Sequence, residues 1–195
     1  MAALTVEIKA IVGLGNPGSK YTETRHNAGF WFIEELASSK SLQFLSEKKF
    51  HGEITKFIAP KNNVWLLKPS TFMNDSGLSV KSLMSFYRIA PENLLVVHDE
   101  IDLPAGEIKL KKGGGHGGHN GLRDIINQLG DKSFLRLRIG VGHPGSKDQV
   151  VDYVLKNPSK DDSIAIDASI SCAMRMMPDL LAGDLEQAMQ DLHTK

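Results

Sequence analysis

The feature that most constrains the fold is an alternation of two hydrophobic periods along one chain. Short β-branched or leucine-rich runs, residues 6–13 and 94–99 among them, are interleaved with segments whose apolar residues recur every three or four positions. Those segments are residues 28–38, 76–87, 122–129, 149–155, 161–177 and 185–192. A strand that is apolar throughout needs cover on both faces, and intervening helices supply it. The pattern therefore predicts an α/β fold, a twisted, mixed but mostly parallel sheet with helices on both faces and runs 6–13 and 94–99 near its centre. Residues 53–59 and 64–68 flank Pro60-Lys61-Asn62-Asn63, which predicts a hairpin. Residues 108–112 and 135–141 alternate apolar with basic side chains, which predicts strands with one solvated face, and an antiparallel strand or two is expected near the sheet edge. No internal repeat or low-complexity linker interrupts the pattern, so the expectation is a single domain spanning residues 1–195.

At 195 residues the chain is long enough for one substantial core. Lysine plus arginine equals aspartate plus glutamate at 23 each, so no bulk positive field exists to hold nucleic acid, and any contact with RNA has to be local. The N-terminus lacks the pattern of a secretory signal, and no segment offers the roughly 18 uninterrupted apolar residues of a membrane span. A cytoplasmic enzyme is the expectation. Cys172, the only cysteine, excludes an intramolecular disulfide; within an apolar periodic stretch it is expected to be a buried, inert thiol.

Gly13-Leu14-Gly15-Asn16-Pro17-Gly18 satisfies the G-x-G-x-x-G spacing of a dinucleotide-binding turn. In that motif a helix starts inside the glycine run. Here Pro17-Gly18 signals a turn, the helical period starts only near Asn27, and no acidic residue closes a second strand about 20 residues on. The match is therefore read as accidental. There is no P-loop and no G-x-S-x-G elbow, which removes support for a P-loop NTPase and for a serine hydrolase.

What remains is a set of polar residues at the breaks between hydrophobic runs: Asn16, His26, Asn74, Asp99 and Asn120. In open sheets ligands sit beyond the carboxyl ends of the strands, so these segments are expected to converge on one rim. His26 is the natural proton acceptor at neutral pH, and Asp99 is the best partner to raise its basicity and fix its tautomer. Asn16, Asn74 and Asn120 suit turns and helix caps, and equally suit holding a carbonyl and a developing oxyanion. Tyr21 and Phe72 can stack a terminal base or line an apolar wall. Lys109 with Lys111, and Arg136 with Arg138, share a strand face, which makes either a phosphate clamp or a solvated outer face. His116 and His119 in the glycine-rich stretch raise a metal alternative with Asp99 or Glu100, on weak spacing. The preferred reading needs no metal and no cofactor.

Read together, Gly13 to Gly18, Tyr21, Thr24-Arg25-His26-Asn27-Ala28-Gly29, Lys68-Pro69-Ser70-Thr71-Phe72-Met73-Asn74, His98 to Pro104, Gly113 to Leu122 and Arg136 to Gly145 resemble bacterial peptidyl-tRNA hydrolase over nearly the whole chain. The resemblance implies hydrolysis of the ester between a peptide and the 3′-terminal ribose of tRNA, by a monomer with no obligatory protein partner. It also implies His26 as general base, Asp99 as the residue holding it, and Asn16 as the position separating blocked from free aminoacyl ends. Tyr21, Phe72, Asn74 and Asn120 match substrate-contacting positions. Lys109, Lys111 and Arg138 match the basic region meeting the acceptor end and 5′-phosphate of peptidyl-tRNA. The departures are a few extra residues ahead of the first strand and a short loop at 131–133. A reading of a different class stands beside it, a non-catalytic RNA-binding module using the glycine-rich loop and the basic strands.

Overall fold

Strand periodicity sorts apolar side chains onto two faces and builds two cores on one sheet. In the computed structural model, which describes residues 6–193, the chain order is β1 (Ala10–Gly13), α1 (Ala28–Ser39), β2 (Leu45–Glu47), β3 (Gly52–Ile58), β4 (Asn63–Pro69), α2 (Ser76–Tyr87), β5 (Leu94–Glu100), β6 (Ile108–Lys112), α3 (Asn120–Leu129), β7 (Leu135–Gly140), α4 (Val150–Val154), α5 (Lys160–Ala182) and α6 (Leu185–His193). Residues 1–5, where most of the extra N-terminal residues fall, and residues 194–195 lie outside the described chain. The strands form one sheet in the order β2-β3-β4-β1-β5-β7-β6. Parallel pairing joins β4, β1, β5 and β7, while β3 and β6 run against their neighbours. The mostly parallel sheet with β1 and β5 at its centre, and the β3–β4 hairpin, are as expected.

Ile11, Leu66, Leu95, Val97, Leu137 and Ile139 point to the face covered by α1, α5 and α6. Ala10, Val12, Leu67, Leu94 and Val96 point to the other, under α2 and α3. Helix α1 lies so close to β1 that its second residue has to be glycine. A Cβ on Gly29 would run into the backbone of Leu14 and Val97, and one on Gly13 into the carbonyl of Gly29. Gly29→Ala is therefore expected to cost about 3 kcal/mol, the upper end for overpacking, because backbone cannot swing aside as a side chain can. A lowered urea midpoint at constant m-value is the readout. A midpoint equal to the native protein's would mean that α1 rides farther from the sheet.

Several local expectations are corrected. Only Ala10–Gly13 of the run 6–13 joins the ladder, although Val6 and Ile8 are buried. β2 and the short 3-10 turns carry no apolar period and were not foreseen. Helix α5 runs on past Met177, through Pro178 to Ala182. β7 is not a strand with one solvated face: only Arg138 is partly exposed, and Arg136, on the same face, is buried beneath the loop whose Gly114 and Gly115 carbonyls it binds. Cys172 is half-buried rather than buried. Among the described residues no helix is long and apolar enough to cross a membrane.

Candidate active site

Strands β4, β1 and β5 are neighbours, so the segments leaving their carboxyl ends have to meet. β1 leads to Asn16, β4 to the stretch carrying Phe72 and Asn74, and β5 ends in Asp99 and Glu100. No helix starts within the glycine run. After β1 the chain makes 3-10 turns at Ser19–Tyr21 and Arg25–Asn27 before α1 begins at Ala28, so the dinucleotide-type spacing carries no pyrophosphate site. The second of these turns presents His26.

His26 is 8% exposed and Asp99 3%, and the ring Nδ1 lies 2.9 Å from Asp99 Oδ1 and 3.0 Å from Oδ2. A buried carboxylate only accepts, so Nδ1 carries the proton and Nε2 keeps its lone pair. Burial alone pulls the His26 pKa down, but the charge of Asp99 and the hydrogen bond to it outweigh burial, leaving the ring more basic than its usual 6.5. Asp99 itself is pushed up by burial and down, more strongly, by the facing His26 and His119, so it is held well below the usual carboxylate range.

His119 also binds this carboxylate, with Nε2 at 3.0 Å from Asp99 Oδ1. Its tautomer follows from its other nitrogen: Nδ1 accepts the backbone N–H of Leu122 at 3.3 Å, capping α3, so Nε2 carries the proton and donates. The sequence placed His119 only in the metal alternative, and left Asn120 either as a helix cap or as a group holding a carbonyl; Asn120 is not the cap but the first helical residue, its Oδ1 accepting from Arg123 at 2.9 Å. His98 was also missed. Buried, it donates from Nδ1 to the Asp99 carbonyl at 2.7 Å, and burial, then the nearby His119, push its pKa down to about 3, so it stays neutral. The signal for His119 was its place beside Asn120 at the end of the glycine-rich stretch.

Asn16 is buried, and its Oδ1 accepts from the Met73 backbone N–H at 2.8 Å. The Asn27 side chain grips the Asn16 backbone from both sides, accepting from N at 2.8 Å and donating to O at 3.0 Å. With its oxygen committed, Asn16 has its amide nitrogen left for a ligand. Asn74 is exposed and caps nothing: α2 starts after Asp75 with no side-chain cap bond. Tyr21 and Phe72 meet edge to face with centroids 6.3 Å apart.

These side chains line one cleft of about 800 Å³ that holds Asn16, Tyr21, His26, Phe72, Asn74, Asp99, His119 and Asn120. Its far wall is apolar, made by Ile101 and the α4 residues Val150, Val151 and Val154. Lys109, Lys111 and Arg138 do not line the cleft, whereas Arg123 and Lys147, which the sequence did not single out, do. Lys109 faces Arg138 across the β6–β7 ladder, Lys109 pairs with Glu107 at 3.4 Å, Arg138 pairs with Glu100 at 2.9 Å, and Lys111 is exposed. Glu100 belongs to the cleft, so Arg138 borders it directly.

Of the histidines weighed for a metal, His116 has its Nδ1 occupied, accepting from Gly118 N at 3.0 Å. Among the described residues His26, Asp99 and His119 put ligand atoms within 4.8 Å of one another. An ion there would have to displace both imidazole protons that bind Asp99, so the group fits a proton network better than a metal cage.

A family model described as peptidyl-tRNA hydrolase matches residues 10–195. A peptidyl-tRNA hydrolase of Coxiella burnetii is 54% identical over 187 residues, covering 96% of this chain and 98% of that protein. One of Neisseria meningitidis is 54% identical over 188 residues with the same coverage. The crystal structure of peptidyl-tRNA hydrolase from Acinetobacter baumannii superposes with a TM-score of 0.94 at 47% identity, covering 97% of this chain and 96% of that one. With the model matched from the first strand onward and relatives more than half identical along almost their full length, the chain belongs to the peptidyl-tRNA hydrolase family.

Proposed function

We propose that this protein hydrolyses the ester joining a peptide to the 3′-terminal ribose of tRNA, with His26 as general base and without a covalent intermediate. The observation that carries the reading is the His26–Asp99 pair at the head of a cleft lined by carboxamides, in a chain of this family. Nε2 of His26 takes a proton from water as the water oxygen bonds to the acyl carbon. The tetrahedral oxyanion is met by side-chain N–H groups of Asn16, Asn74 and Asn120. Collapse breaks the bond to the ribose oxygen, which receives the proton from His26. Among the described residues no serine, threonine or cysteine lines the cleft, which favours water as the nucleophile over an acyl-enzyme.

Asp99 fixes the His26 tautomer and stabilises the imidazolium that forms, and His119 steadies Asp99 while tying it to the start of α3, where Asn120 sits. Tyr21 and Phe72 offer an aromatic corner for the terminal base, and Lys109, Lys111 and Arg138 a local clamp for the 5′-phosphate region. The neutral overall charge fits one RNA end held by a few cations. The same reading has the protein work as a monomer, one domain over residues 1–195, in the cytoplasm.

The testing experiment is release of peptide from N-acetyl-aminoacyl-tRNA, run beside the unblocked aminoacyl-tRNA. Release from the blocked substrate is expected to exceed that from the free amine by about tenfold or more, because a charged ammonium next to the ester meets the carboxamide of Asn16 without the acyl group that the site binds. Tight binding of both with no release from either would favour the RNA-binding module.

A further inference from the structure

One buried charge near the cleft has no part in the chemistry above. Arg25, 7% exposed, precedes His26 in the same 3-10 turn but faces away from Asp99. Its NH1 donates to the carbonyls of Tyr153 at 3.3 Å, Lys156 at 3.3 Å and Asn157 at 2.9 Å, and its backbone N–H donates to Lys156 O at 3.1 Å. NH2 reaches Asp162 in the first turn of α5 at 3.5 Å, and the guanidinium stacks over the Tyr153 ring at 4.0 Å. Tyr153 O also accepts from Lys156 N at 3.2 Å, and Lys156 and Asn157 lie just past Val154, the last residue of α4, so Arg25 holds the chain as it leaves that helix, an end a cation suits.

What Arg25 grips is the apolar wall. α4 has five residues, too few to hold itself as a helix, and apart from the 3-10 turn leading into it, the main element it packs against is the turn Arg25–Asn27. On its other side the Tyr153 hydroxyl donates to Val141 O at 2.7 Å. Val151 is 61% exposed and Leu155 38%, and both line the cleft. One turn of chain thus presents the base on one side and anchors the opposite wall on the other.

We propose that Arg25 is a positioning residue for the acyl half of the substrate: it pins the carboxyl end of α4 so that Val150, Val151, Val154 and Leu155 stand at a fixed distance from His26 and receive an apolar side chain of the residue being released. The proposal rests on the hydrolase reading above. It makes Arg25 a determinant of which peptides are cleaved well, acting through α4 and not through the imidazole. Lysine cannot replace it, since a single ammonium cannot meet the carbonyls through one nitrogen and Asp162 through another while lying flat on the Tyr153 ring.

The test compares Arg25→Gln, Arg25→Lys and Tyr153→Phe with the native enzyme on N-acetyl-leucyl-tRNA and N-acetyl-glycyl-tRNA, together with amide hydrogen exchange. Arg25→Gln is expected to raise KM for the leucyl substrate about tenfold, the size of one or two lost apolar contacts, with kcat and the glycyl substrate little changed. Exchange of α4 amides speeds up while that of α1 does not. Arg25→Lys shows the same pattern. A loss equal on both substrates, or a fall in kcat with a displaced pH profile, would overturn the proposal in favour of a purely structural role or one exerted on His26. Should Arg25→Gln fail to fold, Arg25→Lys decides: an unchanged leucyl KM with unchanged α4 exchange would equally overturn the idea. Tyr153→Phe removes the tie to Val141 but keeps the grip of Arg25, so both readouts should stay near native, and an effect as large as that at Arg25 would place the anchor at Val141 and overturn the proposal. A native enzyme inactive on both substrates would sink the hydrolase reading, while the exchange comparison still reports whether Arg25 holds α4.

Discussion

Replacing His26 with alanine is expected to lower kcat by about 10²- to 10⁴-fold, the usual contribution of a positioned general base, while the affinity for tRNA changes little. The separation follows from where the ring sits. His26 lies at the inner end of the cleft against Asp99, whereas the cations that can meet phosphate, Lys109, Lys111 and Arg138, stand outside it on β6 and β7. Removing the imidazole takes away the proposed proton acceptor and leaves those three cations in place. Single-turnover release measured beside tRNA binding distinguishes the two effects. Parallel loss of binding and release would instead mean that His26 holds the site together, and a variant still turning over at the native rate would remove the base from the mechanism. The fold should survive, since Asp99 keeps His119 as a donor at 3.0 Å.

Local and periodic information was legible, and so was a pairing imposed by strand order; groups satisfied across loops were not. The helix over Ser76–Tyr87 and the β3–β4 hairpin follow from spacing and turn residues within a dozen positions, which is the range over which side chains of one element report on one face. The pairing of His26 with Asp99, 73 residues apart, was also readable, because strand-end residues of neighbouring parallel strands must share a rim. Arg136 shows the limit. Alternation on β7 sends it to the same face as Arg138, but whether that face meets water depends on a glycine-rich loop folding back over it, and nothing in the strand's own pattern encodes that. His119 and Arg25 failed for the same reason. Each satisfies groups contributed by distant segments, a carboxylate 20 residues upstream for one and backbone carbonyls in and just after α4, up to 132 residues downstream, for the other.

Asp99→Asn is expected to keep the fold and cut kcat/KM by about 10²- to 10⁴-fold, and the cause is hydrogen-bond polarity as much as charge. The carboxylate accepts from two imidazoles, His26 Nδ1 lying within 3.0 Å of both oxygens and His119 Nε2 3.0 Å from Oδ1. A carboxamide turns one of those acceptors into a donor. Placed at Oδ2 it confronts the His26 Nδ1–H; placed at Oδ1 it confronts both rings. Relief comes only if His26 moves its proton to Nε2, the atom that has to be free to take one from water. The pH profile gives an independent reading. In the native enzyme Asp99 raises the His26 pKa above 6.5 against the opposing effect of burial, so kcat/KM should climb with pH through a limb lying above that value. Without the carboxylate both raising effects vanish and burial remains, so the limb should move to lower pH even as the plateau drops. A slower enzyme with an unmoved limb would mean that Asp99 acts on something other than the basicity of His26, and an unchanged rate and profile would remove it from the reaction.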